Sequence, residues 1–365
     1  MIVKIGDVIS EYSVRNKFDE NIPVYSVTNE KGFCTGYFSK EVASKDKSTY
    51  KIVPRGYFAY NPSRINVGSV DWQKYEDRVI VSPLYVVFGV SDRLDRQYLL
   101  HYLKSDMMLS FIKEYATGSV RDNLKLADLG KLPINLRPVE EQRQIATTLD
   151  KIDDLIAKRR QQLDKLDELV KSRFIEMVGD CVVNPKGWKT KCLEDIAEVG
   201  SSKRVFIEEL QEAGIPFYRG TEVGALAEGK QISPELFITE EHYTELCKAT
   251  GAPQIGDLLM PSICPDGRIW VVNTEDPFYF KDGRVLWVHA IDNSYNPVFL
   301  LYTLKDRIMA DYSSIASGTT FAELKIFALK KCRIFDVPIA LQNEFAAFVA
   351  QTDKSKSFDD LEVAA

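Results

Sequence analysis

Two distant segments of the chain spell nearly the same text, and this repeat constrains the fold more than any other feature. LKLADLGKLPINLRPVEEQRQIATTL begins at Leu124, and LKIFALKKCRIFDVPIALQNEFAAFV begins at Leu324. In this register Leu124, Lys125, Leu129, Lys131, Ile134, Pro138, Gln142 and Ala146 meet Leu324, Lys325, Leu329, Lys331, Ile334, Pro338, Gln342 and Ala346. Apolar character survives where identity is lost, as at Leu126 and Ile326, Ile145 and Phe345, and Leu149 and Val349. Upstream, YLLHYLK from Tyr98 answers FLLYTLK from Phe299, and IPVY from Ile22 answers IPFY from Ile215. TGSV from Thr117 answers SGTT from Ser317. Matches in one order along the chain mark a tandem duplication. Each copy is a mixed domain closed by a helix that starts at a proline.

The first of these helices is unusually long. From Pro138 to Gly179 it contains neither glycine nor proline, and residues of those two types mark its ends. Ile145, Leu149, Ile152, Ile156, Leu163, Leu166, Val170 and Met177 form a seam in steps of four and three, the 3.5-residue period of a coiled coil. Arg159 and Arg173 stand where the seam expects apolar residues. Their stems can pack while the charges reach water. About 40 residues rising 1.5 Å each make a rod of roughly 60 Å, and so long a stripe must be covered.

Within each copy, RVIVSPLYVVFGV and RVLWVHA read as strands, and GKLPINLRP and KKCRIFDVP as strands running into a proline. RQYLLHYLKSDMMLSFIKEYA reads as one amphipathic helix. The expected fold is α+β, with two similar domains in tandem and long coiled-coil helices between them. The boundaries fall at 1–138 for the first domain, 139–180 for the spacer helix, 181–337 for the second domain, and 338–365 for a second, shorter helix and tail. A pseudo-twofold relation between the copies would lay the helices antiparallel, with a domain at each end of a dumbbell.

Composition excludes several classes of function. The six cysteines are scattered without a CxxC pair, and three histidines leave little for a zinc site. No basic region followed by an apolar run opens the chain, and no apolar stretch approaches the ~20 residues of a membrane span. These features suit a cytoplasmic protein without membrane contact. No GxxxxGK[ST] phosphate loop is present, so ATP binding is not expected. YNPSR at Tyr60 begins like the Asn-Pro-Pro-aromatic motif of adenine methylation, but Ser63 and Arg64 replace the second proline and the aromatic residue. PDGR at Pro265 reads as a turn. The net charge of −6 argues against strong general affinity for nucleic acid. The first 138 residues nevertheless carry a basic excess, while the acidic excess lies in the second half.

Two related domains on a rigid spacer suit a target with two separated, related sites, such as a bipartite duplex DNA sequence. LRPVEEQRQIATTLDKIDDLIAKRRQQLDKL, VPIALQNEFAAFV and AYNPSRINVGSV together resemble the specificity subunit of type I restriction–modification enzymes. The resemblance covers nearly the whole chain. It implies that each domain reads half of a split double-stranded DNA target, and that the helices set the spacing and dock two methyltransferase (modification) subunits. It implies no catalysis and no cofactor on this chain. S-adenosylmethionine, ATP and Mg belong to the methyltransferase and restriction subunits of the complex.

Base reading needs polar side chains on loops that reach a groove. The first copy offers Asn61, Arg64, Asn66 and Ser69, then Ser119, Arg121 and Asn123. The second offers Ser262 and Arg268, then Ser317, Thr319 and Thr320, with Lys203, Arg204, Arg219 and Thr221 as further candidates. An ordinary solvated turn is the competing reading for each. The second helix reads as much shorter than the first, with a turn at SFDDLEVAA. That would leave the seam from Leu163 to Met177 open to self-association. Two other readings fit the same text: a coiled-coil scaffold with two protein-binding domains, and the specificity module of a methylation-only system.

Overall fold

The computed structural model describes residues 1–36, 46–116, 123–318 and 322–362, the last six by their backbone alone. Contacts divide the chain into two units, Met1–Arg159 and Arg160–Ala365.

The first unit contains β1 (Ile2–Lys4), β2 (Ile9–Glu11), β3 (Ser26–Thr28), β4 (Gly32–Cys34), β5 (Lys51–Pro54), β6 (Phe58–Tyr60), β7 (Val70–Trp72), β8 (Arg78–Val81), β9 (Val86–Val90) and β10 (Pro133–Asn135). Its helices are α1 (Arg96–Lys104), α2 (Asp106–Tyr115), α3 (Leu126–Leu129) and the first turns of α4 (Val139–Met177). The main sheet has the order β2-β9-β6-β7 and is antiparallel throughout. Its register sets Phe58 opposite Phe88, and the two rings stack at 5.0 Å. Around this pair lie Tyr60, Leu99, Leu103, Ile112, Leu129 and Ile134, all buried. Each such side chain stabilises the fold by about 1.5–3 kcal/mol. Ala146 is buried in the same core and Ile145 packs against it, which attaches the start of α4 to this unit.

The second unit repeats the plan. It contains β11 (Thr190–Cys192), β12 (Glu198–Gly200), β13 (Ile215–Tyr218), β14 (Phe237–Ile238), β15 (Leu258–Pro261), β16 (Trp270–Val271), β17 (Tyr279–Phe280), β18 (Val285–His289), β19 (Ala316–Ser317), β20 (Glu323–Leu324) and β21 (Arg333–Phe335). Its own helices are α5 (Gly220–Ala227), α6 (Glu240–Thr250), α7 (Pro297–Ile315), α8 (Ile326–Lys330) and α9 (Ile339–Glu362). The sheet β12-β18-β15-β16 matches β2-β9-β6-β7 in order and sense, and β11 pairs with β21 as β1 pairs with β10. The chain is therefore two α+β domains in tandem.

The duplication extends to single hydrogen bonds. The buried Gln142 amide donates to the carbonyls of Arg93 (2.9 Å) and Arg137 (2.7 Å) and accepts from the Asp95 N–H (2.8 Å). The buried Gln342 amide donates to Ser294 (3.0 Å) and Val337 (2.7 Å) and accepts from Asn296 (2.8 Å). Asp95 and Asn296 in turn cap α1 and α7 through their side chains. In each copy one glutamine thus ties the start of the closing helix to the cap of the preceding one.

Three expectations change. The segment read as one helix in the first copy is two, because Ser105 turns to extended backbone (ψ 147°) and its hydroxyl caps the Met108 N–H. A Ser-Asp pair begins a helix well. Its counterpart α7 runs unbroken for 19 residues. The last helix does not turn at Ser357 but continues to Glu362, making α9 24 residues long. The seam from Leu163 to Met177 is not open. Val170, Phe174 and Met177 are buried in one core with Phe345 and Val349 of α9, and Leu163 and Leu166 are half-buried. Arg173 pairs with Glu344 at 3.0 Å and lies 5.9 Å from the Phe348 ring. The beginning of α9 lies against the end of α4, so the coverage falls there. The exposed part of the seam is Leu149, Ile152 and Ile156.

Candidate nucleic-acid interface

In the first unit, β6 delivers the chain into the loop that carries Asn61 and Arg64. The Asn61 carboxamide accepts from the Ser63 N–H (3.1 Å) and hydroxyl (3.0 Å), a side chain standing in for a backbone turn. Arg64 then starts a single 3-10 turn, Ile65–Val67, which ends at Gly68 with φ +84°. Ile65 is fully buried, which holds the turn down and leaves Arg64 exposed. The Arg64 side chain makes no hydrogen bond or ion pair among the described residues. Asn66 is half-exposed on the same turn.

The two candidate loops of this copy meet. The Leu124 N–H donates to the Pro62 carbonyl (3.1 Å), and the Tyr60 hydroxyl donates to the Leu124 carbonyl (3.1 Å). Burial pushes the Tyr60 hydroxyl well above its ordinary pKa, so it remains a donor. Asn123 is thereby held beside the loop of Asn61. Ser119 and Arg121 lie outside the described residues.

Ser69 has a different task from the one its sequence context suggests. It is 3% exposed, and its hydroxyl donates to the Val27 carbonyl at 2.7 Å. Two residues on, the buried Asp71 accepts from the Phe33 N–H at 3.0 Å. Both bonds hold the β3–β4 hairpin, which the sequence did not reveal as a hairpin. Its strands are three residues each, too short for alternation to register, although NEKG between two β-rich triplets is turn chemistry.

The second unit builds the corresponding meeting of loops. The Leu324 N–H donates to the Ser262 carbonyl at 2.7 Å, as Leu124 does to Pro62. Ser262 itself is 2% exposed and faces inward. Arg268 lies 2.8 Å from Asp266 and 3.6 Å from Glu228. Arg204 pairs with Asp282 at 3.2 Å. Lys203 is exposed, and its backbone N–H donates to the Tyr279 hydroxyl (3.2 Å). Arg219 stands at the N-cap position of α5, where its backbone N–H donates to Glu222 (2.7 Å) and its guanidinium reaches Glu222 at 2.6 Å and Glu235 at 3.3 Å. Burial would raise the Glu222 carboxyl. The Arg219 guanidinium, two backbone N–H groups and the Thr221 hydroxyl outweigh it and hold the pKa down to about 2. Ser317 is exposed on β19, and Thr319 and Thr320 lie outside the described residues.

The two units therefore offer different surfaces on one frame. The first presents Arg64 without an acidic partner among the described residues, whereas the candidate arginines of the second are each matched to carboxylates. The Arg268 pairs are exposed at both ends, and such pairs are worth about 0–1 kcal/mol, so a phosphate can displace the carboxylate there. The Asp282 and Glu222 side chains are 17% and 12% exposed and hold their arginines more firmly. Among the described residues no group of three or more His, Cys, Asp or Glu is placed to hold a metal ion. No described helix is long and apolar enough to cross a membrane.

A family model described as the type I restriction modification DNA specificity domain matches residues 2–168 and again residues 185–358. A putative type I restriction enzyme specificity subunit of Haemophilus influenzae is 27% identical over 271 residues, covering 73% of this chain and 66% of that protein. The type I restriction enzyme MjaIX specificity subunit of Methanocaldococcus jannaschii is 29% identical over 285 residues, covering 71% of this chain and 62% of that protein. The chain thus spans slightly less than two thirds of the length of each of these relatives. The crystal structure of a type I restriction–modification S subunit from M. genitalium aligns over 100% of this chain and 92% of that one, with a TM-score of 0.53 and 15% identity. That likeness is one of fold.

Proposed function

The chain belongs to the type I restriction–modification DNA specificity family, and we propose on that premise that it is a non-catalytic sequence-recognition subunit. Each unit reads one half of a split duplex target. The family match in both halves carries this reading, and the loops that meet at Pro62–Leu124 and Ser262–Leu324 support it. The domains divide at 1–138 and 181–337, with the spacer helix 139–180 and the second helix and tail, 338–365, setting the spacing between half-sites. Asn61, Arg64 and Asn66, together with Ser119 and Arg121, form the first reading surface. Lys203, Arg204, Arg219, Thr221, Arg268, Thr319 and Thr320 form the second. Ser69 and Ser262 contribute by position rather than by contact.

The exposed stretch of α4 at Leu149, Ile152 and Ile156, with the faces around it, docks two methyltransferase subunits. Those subunits carry S-adenosylmethionine, and restriction subunits add ATP- and Mg-dependent cleavage. The complex works in the cytoplasm, where the DNA is.

Anisotropy titration of duplex DNA with the methyltransferase subunit, with and without this chain, tests the reading. Adding the chain should raise affinity and steepen its dependence on salt, because each phosphate contact contributes about −0.9 to the log–log slope. A chain that joins the complex and leaves DNA affinity unchanged would instead be a scaffold.

A further inference from the structure

We propose that the β3–β4 hairpin is a second DNA-reading element of the first unit, with its tip Asn29–Glu30–Lys31 entering the major groove beside Arg64. This rests on the DNA-reading role proposed above.

The chemistry of the tip fits base edges. All three side chains are exposed, and none makes a hydrogen bond or ion pair among the described residues. A carboxamide such as that of Asn29 can donate to and accept from adenine at once. A lysine matches the acceptors of guanine, and a carboxylate accepts from cytosine. The major groove, about 12 Å wide, admits a two-stranded ribbon.

The stem is braced beyond what a surface hairpin requires. An isolated pair of strands is marginal in water. Here Val27 and Phe33 are buried, Ser69 and Asp71 hold their backbones, and the Thr28 hydroxyl accepts from the Lys31 N–H at 3.1 Å. Gly32 has φ +60°, and a Cβ there would stand 2.0 Å from the Asp71 carboxylate, so the turn is fitted to its support. The Lys104 ammonium donates to the Asn29 carbonyl at 3.2 Å. Its Cγ lies 4.0 Å from the place a Cβ on Gly68 would take. Lys104 therefore holds the tip with its ammonium while its stem runs near the Gly68 end of the turn that begins with Arg64.

IPVY and IPFY correspond in sequence, but the segments after them differ. In the first unit the hairpin packs on β7. In the second, α5 packs on β15 and on β16, which holds the place in its sheet that β7 holds in the first. One slot on a common frame thus carries a different element in each copy. Two domains that read different half-sites need such an exchange beside their loops.

The test uses the full chain in complex with its methyltransferase subunit and a randomised duplex library, with bound duplexes sequenced. Asn29→Ala and Lys31→Ala leave every stem contact in place. They should flatten preference at one or two adjacent positions of one half-site, by roughly 5- to 150-fold at each, the discrimination a good base contact supplies. The other half-site and the spacing should stay as they are. Unchanged preference in both variants would overturn the proposal, as would a uniform loss of affinity with no change in preference. Loss of co-purification with the methyltransferase subunit would also overturn it, because the tip would then be a protein-docking element. If the unaltered complex selects no sequence at all, the DNA-reading role itself falls, an outcome distinct from failure of the hairpin alone.

Discussion

Gln142 and Gln342 show how much of this fold depends on single buried amides. Each satisfies one N–H and two carbonyls in part-buried surroundings, and the Gln342 bond to Val337 is fully buried. Gln142→Ala should therefore cost about 1–3 kcal/mol for each buried group left unmatched, measured by denaturant unfolding, and Gln342→Ala should match it. An unfolding midpoint that does not move would contradict the account of the clamp. Arg64→Ala should cost roughly 1–3 kcal/mol of binding and relax specificity at one position if the guanidinium pairs with a base. Glu222 gives a pH signature. Its folded pKa of about 2 lies below the ordinary 4.5, so its contribution to stability is complete above the unfolded value and is lost as pH falls through about 2. The melting temperatures of the native chain and of Glu222→Gln should differ at neutral pH and converge between these values. A constant gap across that range would contradict the assignment. Residue identity made the two glutamines visible as a repeat but not as a clamp. Ser69 and Ser262 read as groove-facing because a serine in a polar loop is usually wet, and only the fold reveals that both are buried.

The helix α4 was legible because its pattern runs over many turns, which averages out local accidents, whereas α9 was legible at its proline start but not in its length. Phe174 lies outside the heptad seam, yet it packs against Phe299 and Phe345 at 6.0 and 5.1 Å. Phe174→Ala should cost about 3–5 kcal/mol in thermal unfolding, the range for deleting a buried aromatic ring. Ile152→Ala and Ile156→Ala, at exposed positions, should stay within about 0.5 kcal/mol in the isolated chain. A large loss at Ile152 or Ile156 would mean that the exposed stretch is already covered by a second copy. Short elements were the hardest to read. The break at Ser105 depends on one cap, and three-residue strands such as β3 and β4 carry too few side chains for a period to emerge. Their stability comes from tertiary partners such as Asp71 rather than from their own sequence.

At the scale of the whole chain, the repeat predicted two like domains, and the sheets β2-β9-β6-β7 and β12-β18-β15-β16 are built alike. The surfaces that must differ did not emerge from the repeat, because a repeat reports what is shared. The hairpin on one sheet and α5 on the other occupy the divergent text. The basic excess of the first 138 residues and the acidic excess of the second half also separate the two surfaces. The central claim is that each unit reads its own half of a split target, and a methylome tests it most directly. DNA would be read from cells expressing this chain with its methyltransferase subunit, and from cells lacking only this chain. The account predicts a two-part motif of unlike halves at a fixed spacing, methylated on adenine in both parts and absent without the chain. Identical methylomes from cells in which the two proteins co-purify would contradict it.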